Sequence, residues 1–99
     1  MNERTQSLAE YTIMMFRDGH NTIVIGANSV GSDGNLAYLY GPEGNILQFS
    51  GVGILTAEGE QTQRVGLSPD IYVEPTVSEI KEGKDELIEA AVQYIISNK

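Results

Sequence analysis

The chain opens on a polar stretch and turns periodic at its seventh residue. Leu8, Tyr11, Thr12 and Met15 fall on one helical stripe, which Ile13 and Phe16 broaden, so residues 7–17 predict an amphipathic helix. Ser7-Leu8-Ala9-Glu10 has the form of a capping box: the serine oxygen takes an orphan helix N–H and the glutamate reaches back. "DGHN" at 18–21 stops the helix, with Gly19 suited to a left-handed end. "TIVIG" at 22–26 drops the helical period for a continuous β-branched run, which predicts a strand buried on both faces. Helix, tight turn and buried strand in succession predict an α/β fold.

A polar, glycine-bearing loop follows at 27–35. "LAYLY" at 36–40 and "NILQFS" at 45–50 flank "GPEG" and predict a hairpin. A further strand is expected at 52–56, a turn at Glu58-Gly59 and a return strand near 61–64. Pro69-Asp70 marks a turn before a short strand at 71–73, which Pro75 ends. At 85–97, Leu87, Ile88, Ala91, Val92, Ile95 and Ile96 fill one helical face behind an acidic first turn. A buried strand such as "TIVIG" requires neighbours on both sides, yet six residues precede Ser7 and the later strands are mostly hairpin strands. The 99 residues therefore read as one domain, the back half of a larger fold.

Charge narrows the function. Fourteen acids against six bases give a net charge of −8, with no basic stripe to neutralise phosphates, so nucleic acid is excluded as a partner and anionic membrane surfaces are disfavoured. Without cysteine there is no disulfide, thiol nucleophile or cysteine-type zinc site. A single histidine and no tight carboxylate cluster argue against a metal, and no cofactor is expected. No apolar run approaches the ~20 residues a membrane span needs, so this segment is not expected to insert into a membrane. No signal-peptide order is visible at the N-terminus.

Ser7 then has two readings, helix cap or nucleophile. Asn2-Glu3-Arg4-Thr5-Gln6-Ser7, Glu10 three residues on, Asp18 near the helix end, the "TIVIG" strand, a glycine loop, a hairpin, a Thr-x-x-Gly turn and "GLSPDIYV" at 66–73 occur in one order. In that order and spacing the chain resembles the catalytic core of the C-terminal processing peptidases, or tail-specific proteases, a family of serine peptidases. The resemblance covers nearly the whole chain. It implies part of a ClpP/crotonase-like core with a mixed sheet, an N-terminal helix and a closing amphipathic helix. It also implies a polypeptide substrate cut through an acyl-enzyme, with Ser7 as nucleophile, the Leu8 N–H as one oxyanion donor and Glu10 in support. The second donor would come from an upstream glycine loop, and the PDZ domain that many relatives add is not encoded here. Relatives of this type are usually exported, so the periplasm or cell envelope is expected for the parent protein.

The resemblance departs from the usual pattern at the base, without which a serine hydroxyl is a poor nucleophile. Aligning on Gly31 puts Ser32 where most of the family carries its catalytic lysine, and no lysine precedes Lys81. The chain is closer to the branch without that lysine, in which an upstream histidine is oriented by a downstream glutamate. Gln63 falls near that glutamate's place and has two readings, an uncharged orienter of an imidazole or a polar residue at a strand edge. The lone His20 would lie roughly 17 Å along the helix from Ser7, beyond hydrogen-bond reach, and reads as a surface turn residue. Glu10 reads as the capping partner, Asp18 as a helix-end anchor and Asp33 as a turn residue. The expectation is a nucleophile-bearing segment of a serine endopeptidase, inactive in isolation and completed by the missing upstream part of its catalytic domain. Two alternatives stay open: a catalytically inactive peptide- or ligand-binding module, and a structural segment whose exposed edges drive homo-oligomers.

Overall fold

The computed structural model describes residues 1–19 and 21–99; His20 and its expected turn position lie outside them. The first periodic stretch forms helix α1 (Leu8–Asp18), with Ser7 at its N-cap and Arg17 in its last turn. The chain then passes through strand β1 (Ile25–Gly26), the hairpin strands β2 (Leu36–Tyr40) and β3 (Ile46–Ser50), and strand β4 (Ile71–Tyr72). Helices α2 (Val77–Lys81) and α3 (Glu86–Ser97) close it.

β1 and β4 pair in parallel, Ile25 opposite Ile71 and Gly26 opposite Tyr72. The other edge of β1 is also occupied. The Met1 amine donates to Ile25 O at 2.7 Å, and Ala27 N–H donates to Met1 O at 3.1 Å. This is the slanted pattern of a parallel neighbour. The chain therefore runs from an extended residue alongside β1, through the turn at Asn2–Thr5 (Thr5 N–H to Asn2 O, 2.9 Å), into α1. Gly26 belongs where it is because Met1 lies against it: at φ +134 a Cβ would stand 1.7 Å from Met1 O.

Asp70 binds three elements at once. Its carboxylate accepts the Val24 N–H at 2.7 Å and pairs with Arg17 at 3.4 Å, while its own N–H donates to Val24 O at 2.7 Å. Arg17 also donates to Ser68 O. The Pro-Asp-Ile turn thereby anchors the end of α1 and the entry to β1 to the start of β4. Cooperative charged hydrogen bonds of this kind are individually modest but together set the register of β1 on β4.

The hairpin forms as the alternation predicts, with Leu36 opposite Ser50 and Tyr40 opposite Ile46, and Glu43 and Gly44 at positive φ in its turn. Two strand expectations are corrected. The run at 22–26 yields only two strand residues, because Val24 spends both backbone groups on Asp70 and Ile71. At 52–56 and 61–64 there is a single antiparallel bridge, Leu55 with Gln61, since Thr62 turns the chain by accepting the Val65 and Gly66 N–H groups on its carbonyl. α2 was not expected; Thr76 caps it by accepting the Glu79 N–H. α3 has Asp85 as its N-cap, accepting the Leu87 and Ile88 N–H groups, and its Leu87, Ile88 and Ala91 face Ile23 and Ile25 across a cleft of about 400 Å³.

Burial is thin. Among the described residues Val24, Ala27 and Leu67 are the buried apolar ones. The radius of gyration is 17.2 Å, against about 13 Å for a compact domain of this length, and the molecule is a slab of 58 × 35 × 15 Å. The most enclosed side chains are polar, Glu10 and Thr62 at 0% exposure. Order in this slab rests on hydrogen bonds more than on an apolar core. Asp70→Ala should accordingly lower stability by about 1–3 kcal/mol in urea titration, through the orphaned Val24 N–H and Arg17. Arg17→Ala should cost less, because its pair with Asp70 is partly exposed.

Candidate active site

Ser7 stands at the junction of the Asn2–Thr5 turn and α1 with φ 54 and ψ −124. That conformation strongly favours glycine, and in a serine it stores roughly 1–3 kcal/mol of strain. It persists because the Ser7 N–H is held twice, by Ser32 O at 2.8 Å and by Glu10 Oε2 at 2.9 Å. Only the glutamate half of the capping box closes with full hydrogen-bond geometry. The serine hydroxyl faces the third helical N–H but makes no capping hydrogen bond.

The Glu10 carboxylate is the hub. Fully buried, it accepts the Ser7 and Ser32 N–H groups on Oε2 (2.9 and 3.1 Å). On Oε1 it accepts the Gly31 N–H at 2.8 Å and the Ser29 hydroxyl. Ser29 Oγ in turn accepts the Leu67 N–H at 2.7 Å, and the Ser29 N–H donates to Leu67 O at 3.0 Å. The helix start, the 29–32 loop and the segment entering β4 are thus locked to one carboxylate. Gly31 is required where it sits: at φ +73 a Cβ would fall 2.6 Å from the Gly66 N and 2.9 Å from the Val65 N. The Gly31 N–H could not reach Glu10 if those two backbones were pushed apart.

Ser7, Leu8 and Tyr11 on α1, Asp33, Gly34 and Asn35 on the following loop, and Val52 and Ile54 line one cleft of about 350 Å³. The Leu8 N–H, the first of the helix, has no partner among the described residues and belongs to this cleft. Together with the helix dipole it makes the spot beside Ser7 favourable for an oxyanion. Asp33 is 5% exposed; its Oδ1 accepts the Gly34 N–H at 2.7 Å, while its Oδ2 is buried without a partner.

Gln63 does not line the Ser7 cleft. It lies in a neighbouring one of about 340 Å³ with Ser32 and Asp33, and its amide is spent on backbone. Nε2 donates to Asp33 O at 2.8 Å and to Val52 O at 2.7 Å, and Oε1 accepts the Ile54 N–H at 3.4 Å. Ser32, which the sequence resemblance aligns with the family's lysine, accepts the Ser7 N–H on its backbone carbonyl at 2.8 Å and lines the Gln63 cleft, not the Ser7 one. Asp18 ends α1 beside a separate cavity with Met14, Arg17, Thr56, Ala57, Glu58 and Leu67. Two pKa values depart from the ordinary range. Tyr72 is raised by donating to Glu74, and Lys84 is raised by its contact with Glu82; neither group lines the Ser7 cleft. Among the described residues no group of acids or histidines is placed to hold a metal ion.

Sequence reasoning missed Ser29 and read Asp70 only as a turn residue. Both are polar residues whose side-chain partners lie 19 to 53 positions away, and only the Ser-x-x-Glu half of the Glu10 network is local.

Short strand pairs beside a helix capped by a strained serine make a mixed α/β fold, and comparison with known proteins places it among the peptidases. The model of peptidase family S41 matches residues 1–73, and the chain belongs to that family. It is 27% identical to a candidate peptidase from Parabacteroides merdae and superposes on its crystal structure with a TM-score of 0.82, covering 91% of this chain and 28% of that one. Mature CPAF complexed with lactacystin gives 21% identity and a TM-score of 0.80 over 99% of this chain and 20% of its own. The photosystem II D1 C-terminal processing protease gives 21% and 0.62 over 77% and 20%. These last two likenesses are of fold. The chain spans between a fifth and somewhat over a quarter of the length of these proteins. No curated protein sequence matches it.

Glu10→Gln keeps the shape of the hub but turns an NH₂ toward N–H donors. It should lower stability by about 2–3 kcal/mol and remove one of the two acceptor oxygens, read as weakened amide exchange protection either at Gly31 or at Ser32 and Ser7, whose N–H keeps Ser32 O.

Proposed function

We propose that this chain is the nucleophile-bearing segment of a serine-type endopeptidase in the C-terminal processing, tail-specific line of its family. The observation that carries this reading is Ser7 itself. It is held at a glycine-like φ and ψ by two hydrogen bonds to its N–H, with its hydroxyl unspent and the free Leu8 N–H beside it. Strain of this kind is retained where the surroundings over-determine it, and it is the geometry that presents a nucleophile at a strand-to-helix turn.

In this mechanism Ser7 Oγ attacks the scissile carbonyl carbon while a base takes its proton. The carbonyl oxygen, becoming an oxyanion, accepts from the Leu8 N–H; the base then passes the serine proton to the leaving nitrogen, and collapse expels the amine to leave an acyl-enzyme. Glu10 positions Ser7 through its N–H, and Gln63 braces the Asp33 loop against 52–54. The base and the second oxyanion donor come from the upstream part of a larger catalytic domain, of which these residues are the C-terminal segment. The exposed apolar faces of the slab and the share of its relatives that it spans support that reading.

A second reading, a catalytically silent peptide-binding module, is favoured by Ser32 in place of a lysine. The two readings separate by reaction with a fluorophosphonate followed by intact-mass analysis. Ser32→Lys, beside Ser7, should raise the rate of Ser7 modification by about a hundredfold over the native chain, and Ser7→Ala should abolish it. A folded Ser32→Lys chain that stays unmodified would favour the binding module.

A further inference from the structure

β2 leaves the Ser7 cleft with one edge unused. Gly34 and Asn35 line that cleft and lead directly into Leu36, the first residue of the strand. Hydrogen bonds at the two ends of the hairpin fix which backbone groups face which way. The Gly51 N–H donates to Asn35 O at 2.9 Å, and the Gly41 N–H donates to Asn45 O at 2.8 Å. In an antiparallel ladder bonded pairs alternate with unbonded ones, so with Leu36 opposite Ser50 the bonded pairs fall at Ala37 and Leu39. Leu36, Tyr38 and Tyr40 therefore turn their N–H and C=O groups away from β3. Among the described residues β2 pairs with β3 alone, so these groups form an open edge.

Native folds blunt such an edge with charge, proline or a bulge. "LAYLY" at 36–40 has no charged residue and no proline, in a chain of net charge −8, and it pairs with β3 residue for residue. The other side of the hairpin differs at its cleft end. Gln63 occupies the chain that leaves β3, donating to Val52 O at 2.7 Å and accepting the Ile54 N–H at 3.4 Å. The edge that opens from the Ser7 cleft is thus that of β2.

We propose that an extended segment of the polypeptide substrate adds to this edge of β2 as a third strand, bonded to Leu36, Tyr38 and Tyr40, and so brings its scissile carbonyl to the Ser7 cleft. That the occupant is substrate rests on Ser7 being the nucleophile. The continuity of edge and cleft selects substrate over a second copy of the chain. Backbone pairing supplies affinity for an unfolded segment, and the exposed Leu36, Tyr38 and Tyr40 side chains share one face, which favours apolar residues at alternate positions of that segment.

The probe is a blocked peptide of alternating valine and threonine with a lysine at each end. Added to the full chain, it should slow amide exchange at Leu36, Tyr38 and Tyr40 and leave Ala37 and Leu39, already bonded to β3, unchanged. At saturation it should slow fluorophosphonate modification of Ser7 by about tenfold or more. Tyr38→Pro deletes the central edge donor without touching a bond to β3, and proline is tolerated on such an edge. It should weaken peptide binding by about tenfold. Tyr38→Val, which keeps the N–H and loses the ring, should retain most of the binding. Exchange at Ala37 and Leu39 verifies the hairpin in each variant.

Protection that misses Leu36, Tyr38 and Tyr40, native binding by Tyr38→Pro, or a bound peptide that leaves Ser7 reactivity unchanged would overturn the inference. So would protection of the same three amides without peptide, rising with protein concentration, because the edge would then belong to a second copy. Modification of Ser7 without peptide reads the nucleophile separately. If Ser7 stays unmodified there, Ser32→Lys included, the nucleophile reading fails first and the assignment of the occupant as substrate with it.

Discussion

A single buried carboxylate holds this molecule's site together. Glu10 gathers donors from the helix start and from the 29–32 loop, and through Ser29 it reaches the backbone at Leu67. Remove it and the strained turn at Ser7 has one hydrogen bond left on its N–H, while two loop amides and a hydroxyl lose their acceptor. A charge buried this deeply is stabilising only when it is fully hydrogen-bonded, and here four donors saturate it. The constraint also explains why Gly31 and Gly66 take positive φ. Their two loops must close to backbone contact before the carboxylate can reach both sides.

That economy suits a structure with little apolar interior. The three buried hydrophobic residues among those described do not hold a 15 Å slab by themselves, and the polar ties at Glu10, Asp70 and Thr62 take over the work of fixing loops to helix and strand. The apolar side chains instead lie outward on the hairpin and along α1 and α3. In a larger catalytic domain those faces are where the remaining sheet and helices would pack. Rigid polar ties then serve a second purpose: they keep Ser7, the Leu8 N–H and Asp33 in register whatever covers the slab.

The sequence made legible what depends on neighbours along the chain. The α1 period, the α3 stripe, the hairpin around "GPEG" and the Ser7–Glu10 pairing all rest on contacts within a few residues. The strands at 22–26, 52–56 and 61–64 were over-read, because β-branched runs state a preference for burial while pairing is decided by distant partners such as Asp70. The motif order identified the family, yet it described Asp70 as a turn residue and Asp33 likewise. Gln63 stands out by its place in that order, while the three hydrogen bonds its amide makes to distant backbone are visible only in the fold. An orphaned oxygen such as Asp33 Oδ2 leaves no trace in sequence; it is visible only once every other donor has been accounted for.

The central claim is that Glu10 holds Ser7 in a strained turn so that its hydroxyl, free of capping, attacks an electrophile whose oxygen settles on the Leu8 N–H. A crystal structure of the chain soaked with a fluorophosphonate tests it most directly. The account predicts a phosphorus atom bonded to Ser7 Oγ, the phosphoryl oxygen within hydrogen-bond distance of the Leu8 N–H, and Ser7 still at positive φ with Glu10 on its N–H. An unmodified Ser7 at ordinary helical-cap φ, its hydroxyl closed onto the Glu10 N–H, would contradict it.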